Sequence, residues 1–283
     1  MKPHSNEVGL RRTNEVGLRR TVAEQLAVKA GAFLLEGLYR PRTAIETKSS
    51  GTDMVSEMDK GAETLLVDGI LNAFPDDGIL GEEGTDRTGS TGWKWVIDPL
   101  DGTTNYLYGH PFWSVSVGVE YLGVPTIGVV EIPTLRETFC ASAGHGTTRN
   151  GEVVATSDVD TSAMALVATG FGYAAQRRDW QGRIISAVAP RVRDLRRGGS
   201  AAIDLAFVSC GRVDAYYERG LNPWDLSAGI VLVREAGGLV SDLSGTGEPT
   251  LDFAVAAGTK LHETMCRMLC EIAGAIPQET ELA

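Results

Sequence analysis

The sequence predicts a two-part protein, an α+β first half and an α/β second half meeting near residue 150. Three observations carry the prediction. Apolar residues recur at helical spacing in two stretches near the N-terminus, short apolar runs separated by turns follow, and helix-like and strand-like runs then alternate to the C-terminus. A chain of 283 residues, 43% apolar and 22% charged, carries enough apolar material to build that core.

The octad N-E-V-G-L-R-R-T at 6–13 recurs unchanged at 14–21. Two octads are too few and too short for a repeat architecture, so residues 1–21 are read as a flexible N-terminal arm preceding the halves 22–150 and 151–283. Val22, Leu26, Ala30, Phe33, Leu34 and Leu38 then mark an amphipathic helix that stops before Pro41. A second helix is expected over 59–74, closed by Pro75-Asp76-Asp77-Gly78. Strands follow at 79–81, 93–97, 112–119, 126–132 and 138–143, forming an antiparallel sheet. In the second half the pattern predicts strands at 164–169, 213–217, 239–242 and 253–257, and helices at 180–192, 201–210, 223–236 and from about 260.

The formal net charge of −11 disfavours nucleic-acid and anionic-membrane partners. No run of 18 apolar residues and no signal-peptide core occurs, which predicts a cytoplasmic protein. Cys140, Cys210, Cys266 and Cys270 form no C-x-x-C spacing and read as small apolar residues. No G-x-x-x-x-G-K nucleotide loop is present, and four scattered histidines do not build a histidine-based site.

Three carboxylate segments hold the chemistry. In Asp98-Pro99-Leu100-Asp101-Gly102-Thr103-Thr104-Asn105, a buried-type strand ends in Asp98, and Pro99 cannot continue pairing, so a turn is expected between Asp98 and Asp101. The Leu100 carbonyl lies between these acids, and Gly102-Thr103 can open a helix whose free amides accept an anion. Gly81-Glu82-Glu83-Gly84 puts two acids just past a strand, and Asn222-Pro223-Trp224-Asp225 reads as a helix start. Glu82, Asp98, Asp101 and Asp225 brought together would repel one another unless cations lay among them.

These segments, G-E-E, D-P-L-D-G-T-T-N and W-D-L-S-A-G in that order, resemble the inositol monophosphatase family of Mg²⁺-dependent, lithium-sensitive phosphomonoesterases; Lys48-Ser49-Ser50, Asp53 and Asp59 extend the likeness. The resemblance implies a layered αβαβα sandwich and two to three Mg²⁺ ions. It implies Glu82, Asp98 and the Leu100 carbonyl as ligands of a first ion and Asp98, Asp101 and Asp225 of a second, with a weaker third near Glu82. Asp59 with Thr103 would orient and deprotonate the attacking water, and the Gly102 and Thr103 amides would hold the phosphate. Glu218 would contact substrate hydroxyls, and Arg196, Gly199, Ser200 and Ala201 would wall the pocket.

The expected activity is hydrolysis of myo-inositol monophosphate, or of another small phosphorylated metabolite, without a covalent intermediate. Histidinol phosphate and fructose bisphosphate are the alternative substrates, and a regulatory binding protein on the same fold is the non-enzymatic alternative. The apolar segment Phe112-Trp113-Ser114-Val115 and the habit of relatives point to a homodimer.

Overall fold

The computed structural model describes residues 4–38, 45–47 and 54–276, with side chains over 13–38 and 57–276. Lys48, Ser49, Ser50 and Asp53 lie outside the described residues. Helix α1 (His4–Gly37) takes in both octads as well as the amphipathic stretch behind them. The separate arm expected over 1–21 is thus corrected: from Thr13 on, this segment belongs to a helix whose Val16 and Arg19 are buried. The octad contains no helix breaker stronger than Gly17, which costs about 1 kcal/mol relative to Ala. Arg19 also finds a distant partner, donating from Nε and Nη2 to Asp77 at 2.8 and 2.9 Å. Its guanidinium carbon lies 4.3 Å from the Phe74 ring centre and 4.4 Å from that of Trp93.

A hairpin, β1 (Ile45–Thr47) with β2 (Met54–Ser56), leads into α2 (Glu57–Ala73). The first large sheet contains β3 (Gly78–Gly81), β4 (Asp86–Arg87), β5 (Trp93–Asp101), β6 (Ser114–Tyr121), β7 (Val124–Ile132), β8 (Glu137–Ser142), β9 (Thr147–Arg149) and β10 (Glu152–Val154), with the short α3 (Thr103–Leu107) after β5. Its spatial order is β10-β9-β8-β7-β6-β5-β3-β4, antiparallel except for the parallel β3/β5 pair.

The second half supplies β11 (Leu166–Thr169), α4 (Ala175–Val188), β12 (Asp194–Arg196), α5 (Ala201–Ser209), β13 (Ala215–Glu218), α6 (Pro223–Glu235), β14 (Gly238–Ser241), β15 (Ala254–Gly258) and α7 (Thr259–Ala275). Here the order is β12-β11-β13-β15-β14, with the first three strands parallel. Helix α4 starts earlier than the pattern predicted and stops sooner, because Ala189-Pro190-Arg191 tightens into a 3₁₀ turn.

Three apolar clusters stack these elements as αβαβα. Leu26, Ala30 and Leu34 of α1 and Leu66 and Ile70 of α2 pack on Trp95, Ile97 and Val117 of the first sheet. Helices α5 and α6 lie between the sheets, with Leu205, Val208, Ile230 and Leu232 packed against Val130 and Phe139 on one side and Tyr216 and Ala256 on the other. Helices α4 and α7 cover the far face through Trp180, Ile184, Leu261 and Leu269. Trp113, Ser114 and Val115 are fully buried in the chain's own core, and of the segment 112–115 Phe112 alone is partly exposed.

Pro99 does not end β5. Asp98 faces Ser116 and Asp101 faces Ser114, so β5 spends three steps where β6 spends two, and Pro99 falls in the resulting bulge. Residues three apart on a regular strand point to opposite faces; one extra residue restores the phase. The bulge therefore turns Asp98 and Asp101 toward the same side.

Candidate active site

The ends of the two sheets and of α5 and α6 enclose a cavity of about 360 Å³. One wall consists of Glu82, Asp98, Leu100, Asp101 and Asp225, and Gly102, Thr103, Gly199, Ser200, Ala201 and Glu218 also line it. Three segments far apart in sequence, the loop after β3, the β5 bulge and the start of α6, thus meet, as the family resemblance implied. Ligand oxygens of Asp98, Asp101 and Asp225 lie within 4.8 Å of one another.

Each acid is aimed by local backbone. The Leu100 N–H donates to Asp98 Oδ1 at 2.9 Å across the bulge. Asp101 Oδ2 accepts from Ser200 Oγ at 2.6 Å and from the Ala202 N–H at 2.7 Å. Ser200 also caps α5, accepting from the Ile203 N–H. The segment read as a pocket wall therefore orients an acid as well. Asp225 closes a capping box at the start of α6, accepting the Asn222 N–H at 2.7 Å. Glu82 follows β3 and is fixed through its own N–H to the Ile97 carbonyl.

Burial and mutual repulsion act in the same direction on this wall. Desolvation, then the charges of Glu82, Asp101 and Asp225, push the Asp98 carboxyl well above the usual carboxylate range. Desolvation and then Asp101 do the same to Asp225. Asp101 is raised by burial against the opposing pull of its Ser200 and alanine amide donors. Asp98, Asp101 and Asp225, with Glu82 on the same wall, form a set of hard oxygen donors, an environment that fits a divalent cation.

Gly102 has φ 96°, and a β-carbon there would come within 2.9 Å of the Phe112 carbonyl, so the tight entry into α3 requires glycine. Thr103 Oγ1 donates to the Leu100 carbonyl at 3.1 Å. Asn105 Nδ2 ties this turn to the Phe112 and Gly198 carbonyls. Glu218 sits at the far side, with a pKa pushed up to about 7 by burial although the Tyr216 hydroxyl donates to it at 2.8 Å.

Two residues depart from their expected places. Arg196 does not line this cavity; it is exposed and pairs with Asp194 at 2.7 Å. Arg197 lines it instead, because neighbouring residues at a strand end point to opposite sides. Asp59 is buried in the first turn of α2 and is not on the cavity wall.

Others escaped the sequence reading. Glu63 of α2, buried, accepts from the Glu83 and Thr85 amides at 2.8 and 3.1 Å and from Thr85 Oγ1 at 2.6 Å, holding the loop that carries Glu82. Asp204 lines the cavity with a buried Oδ2 that no hydrogen bond satisfies. On a helical pattern both resemble ordinary polar positions; Glu63 falling four residues after Asp59 was the only local signal.

A profile of the inositol monophosphatase family matches residues 18–273. The inositol-1-monophosphatase of Mycobacterium bovis is 41% identical over 238 residues, covering 78% of this chain and 82% of that protein. The Nus factor SuhB of Escherichia coli is 38% identical over 239 residues, covering 84% and 90%. Among solved structures, a Thermotoga maritima IMPase superposes with a TM-score of 0.84 at 33% identity, covering 92% of this chain and 99% of that one. With the layered fold and the acidic cavity already in place, this chain belongs to the inositol monophosphatase family.

Proposed function

We propose that the protein is a Mg²⁺-dependent phosphomonoesterase and that myo-inositol 1-phosphate is its substrate, with histidinol phosphate and fructose bisphosphate as the alternatives to be excluded. The observation that carries this reading is the trio Asp98, Asp101 and Asp225, whose ligand oxygens lie within 4.8 Å of one another on a cavity wall. The name of the 41% identical mycobacterial relative supports the substrate.

In this reading Glu82, Asp98, the Leu100 carbonyl, Asp101 and Asp225 hold two to three Mg²⁺ ions. When bound, the ions neutralise the phosphate dianion, lower the pKa of water and stabilise the leaving alkoxide. The residues supply position. Because the Thr103 hydroxyl proton is committed to the Leu100 carbonyl, its oxygen is left as an acceptor, the polarity needed to orient a water. The resemblance gives Asp59 the proton-accepting role with Thr103, a role its buried carboxyl, off the cavity wall, would have to reach through a neighbour. The Gly102 and Thr103 amides, at the free N-terminal end of α3, hold the phosphate. Glu218 faces the leaving group, where a carboxyl near half ionisation at neutral pH can accept from or donate to a hydroxyl. Ser200 and Ala201 line the cavity, and Ser200 also orients Asp101.

The regulatory alternative draws on the Nus factor relative, but a protein that only binds a partner gains nothing from mutually repelling acids gathered on one wall, two of them buried. No helix among the described residues is long and apolar enough to cross a membrane, and we place the enzyme in the cytoplasm as a homodimer, a state sedimentation velocity would measure. Phosphate release is the deciding assay. With Mg²⁺, myo-inositol 1-phosphate should turn over and millimolar lithium should inhibit; absence of release from every phosphomonoester tried would falsify the enzymatic reading.

A further inference from the structure

In the phosphatase reading Asn105, the last residue of D-P-L-D-G-T-T-N, is neither an ion ligand nor a phosphate donor, and it does not line the cavity. It sits inside α3, two residues after Thr103. Its side chain nevertheless reaches two distant pieces of backbone. Nδ2 donates at 2.5 Å to the Phe112 carbonyl, in the loop before β6, and at 2.9 Å to the Gly198 carbonyl, in the loop before α5. The second bond spans 93 residues and joins the first half of the chain to the second. A side-chain amide nitrogen carries two hydrogens, so two carbonyls use its full capacity, and only the nitrogen end of the amide can face them.

Each acceptor belongs to a segment that shapes the site. The Phe112 carbonyl is the atom that a β-carbon on Gly102 would strike, so it is pressed against the Gly102-Thr103 turn on the cavity wall. The Phe112 ring in turn lies against Gly198, where a β-carbon would come within 2.9 Å of its Cδ1. Gly198 leads through Gly199, with φ 93°, to Ser200, whose hydroxyl donates to Asp101 Oδ2 at 2.6 Å. A β-carbon on Gly199 would come within 3.0 Å of Asn105 Nδ2, so the amide sits directly on this second turn.

Hydrolysis requires these two turns to keep a fixed separation. The first carries Gly102 and Thr103, which the phosphatase reading sets against the phosphate, and the second carries Ser200, which aims an acid of the cation-holding wall. Helix α3 has only five residues, too few internal hydrogen bonds to fix its own direction. Two bonds from one planar amide set both the position and the rotation of the group that makes them. We propose that Asn105 is a positioning residue for the reaction: it locks the Gly102-Thr103 turn against the segment that orients Asp101. The inference rests on the phosphatase reading and adds to it the part that sets the distance between the phosphate and the acidic wall.

The test replaces Asn105 in the full chain. Asn105→Leu keeps the approximate shape, adds no charge and removes both donors; Asn105→Ala carries the same comparison if the leucine variant does not fold. With Mg²⁺ and myo-inositol 1-phosphate, or whichever phosphomonoester the intact enzyme turns over, kcat/KM should fall about ten- to hundredfold, the loss that a misplacement of about 1 Å produces. The dissociation constant of inorganic phosphate, measured by calorimetry on the protein with Mg²⁺, should rise about tenfold in the same variant. A residue that only stabilised the fold would lower the melting temperature and leave the phosphate affinity of the folded protein unchanged. That result, or intact-enzyme values for both kcat/KM and phosphate affinity, overturns the inference and leaves the phosphatase reading standing. Release of phosphate from no phosphomonoester by the intact protein overturns the phosphatase reading itself, and the inference with it.

Discussion

Two buried aspartates of the first half, Asp77 and Asp98, respond to burial in opposite ways. Asp77 is fully buried below the N-terminal helix, and burial alone would raise its pKa. Hydrogen bonds from Arg19, Thr91 and Trp95, together with the Arg19 charge, turn the shift downward. Asp98, buried to the same degree, faces Glu82, Asp101 and Asp225 and is driven upward. The first acid is a finished piece of structure, charge met by charge and every acceptor filled. The second meets like charges in place of a cation. Burial of an acid therefore says little about function until its neighbours are known.

The largest test of this contrast is Asp98→Asn. Phosphate release at saturating Mg²⁺ should fall on the order of a thousandfold, because an acid of the metal-holding wall is lost. The same substitution should raise the melting temperature of the metal-free protein, since one member of a repelling group has become neutral. A falling melting temperature would mean that the wall is a structural network like the one around Asp77. Asp77→Ala should do the reverse: it strands Arg19 in the interior, at a cost of about 3–5 kcal/mol in denaturant unfolding, while the folded fraction keeps its turnover.

Glu63→Gln probes a residue between these two cases, a buried acid that is satisfied but whose partners carry Glu82. The Mg²⁺ concentration for half-maximal activity should rise about tenfold, as outer-shell changes commonly produce, with kcat at saturating Mg²⁺ nearly unchanged. An unchanged Mg²⁺ titration would show that the Glu82 loop holds itself.

The smallest effect is on pH. Glu218 moves from an ordinary value of 4.5 to about 7 on folding. The folded protein then binds more protons than the unfolded chain between those values, so metal-free stability should decline as pH rises through that window and level off above it. Asp98 and Asp225, also raised, act with the same sign. Glu218→Gln should flatten part of this slope in thermal melts; an unaltered slope would assign it wholly to the metal-holding wall.

The acidic segments were legible in sequence because each is compressed into a few residues at an element end. Their convergence in one cavity was legible only through the family resemblance, as nothing in local pattern brings residue 225 to residue 98. Pro99 shows a different limit. It forbids pairing at one position, and a turn and a bulge both satisfy that condition; only the register with β6 selects the bulge. Arg196 and Arg197 differ by one step of strand phase, which composition cannot set. The N-terminal helix was misread because its anchor, Asp77, lies 58 residues from Arg19.

The repeated octad has a genetic consequence. Eight residues advance a helix by about 12 Å and rotate it by about 80°, so the two copies occupy different places along α1. Yet the copies are identical, and deleting residues 6–13 or residues 14–21 yields one and the same chain. In that shortened protein the surviving octad still precedes Val22 directly and keeps its phase with the body. Any contraction of the repeat by one unit therefore retains the Arg19 contact, and the gene can lose a copy without the fold registering which one was lost.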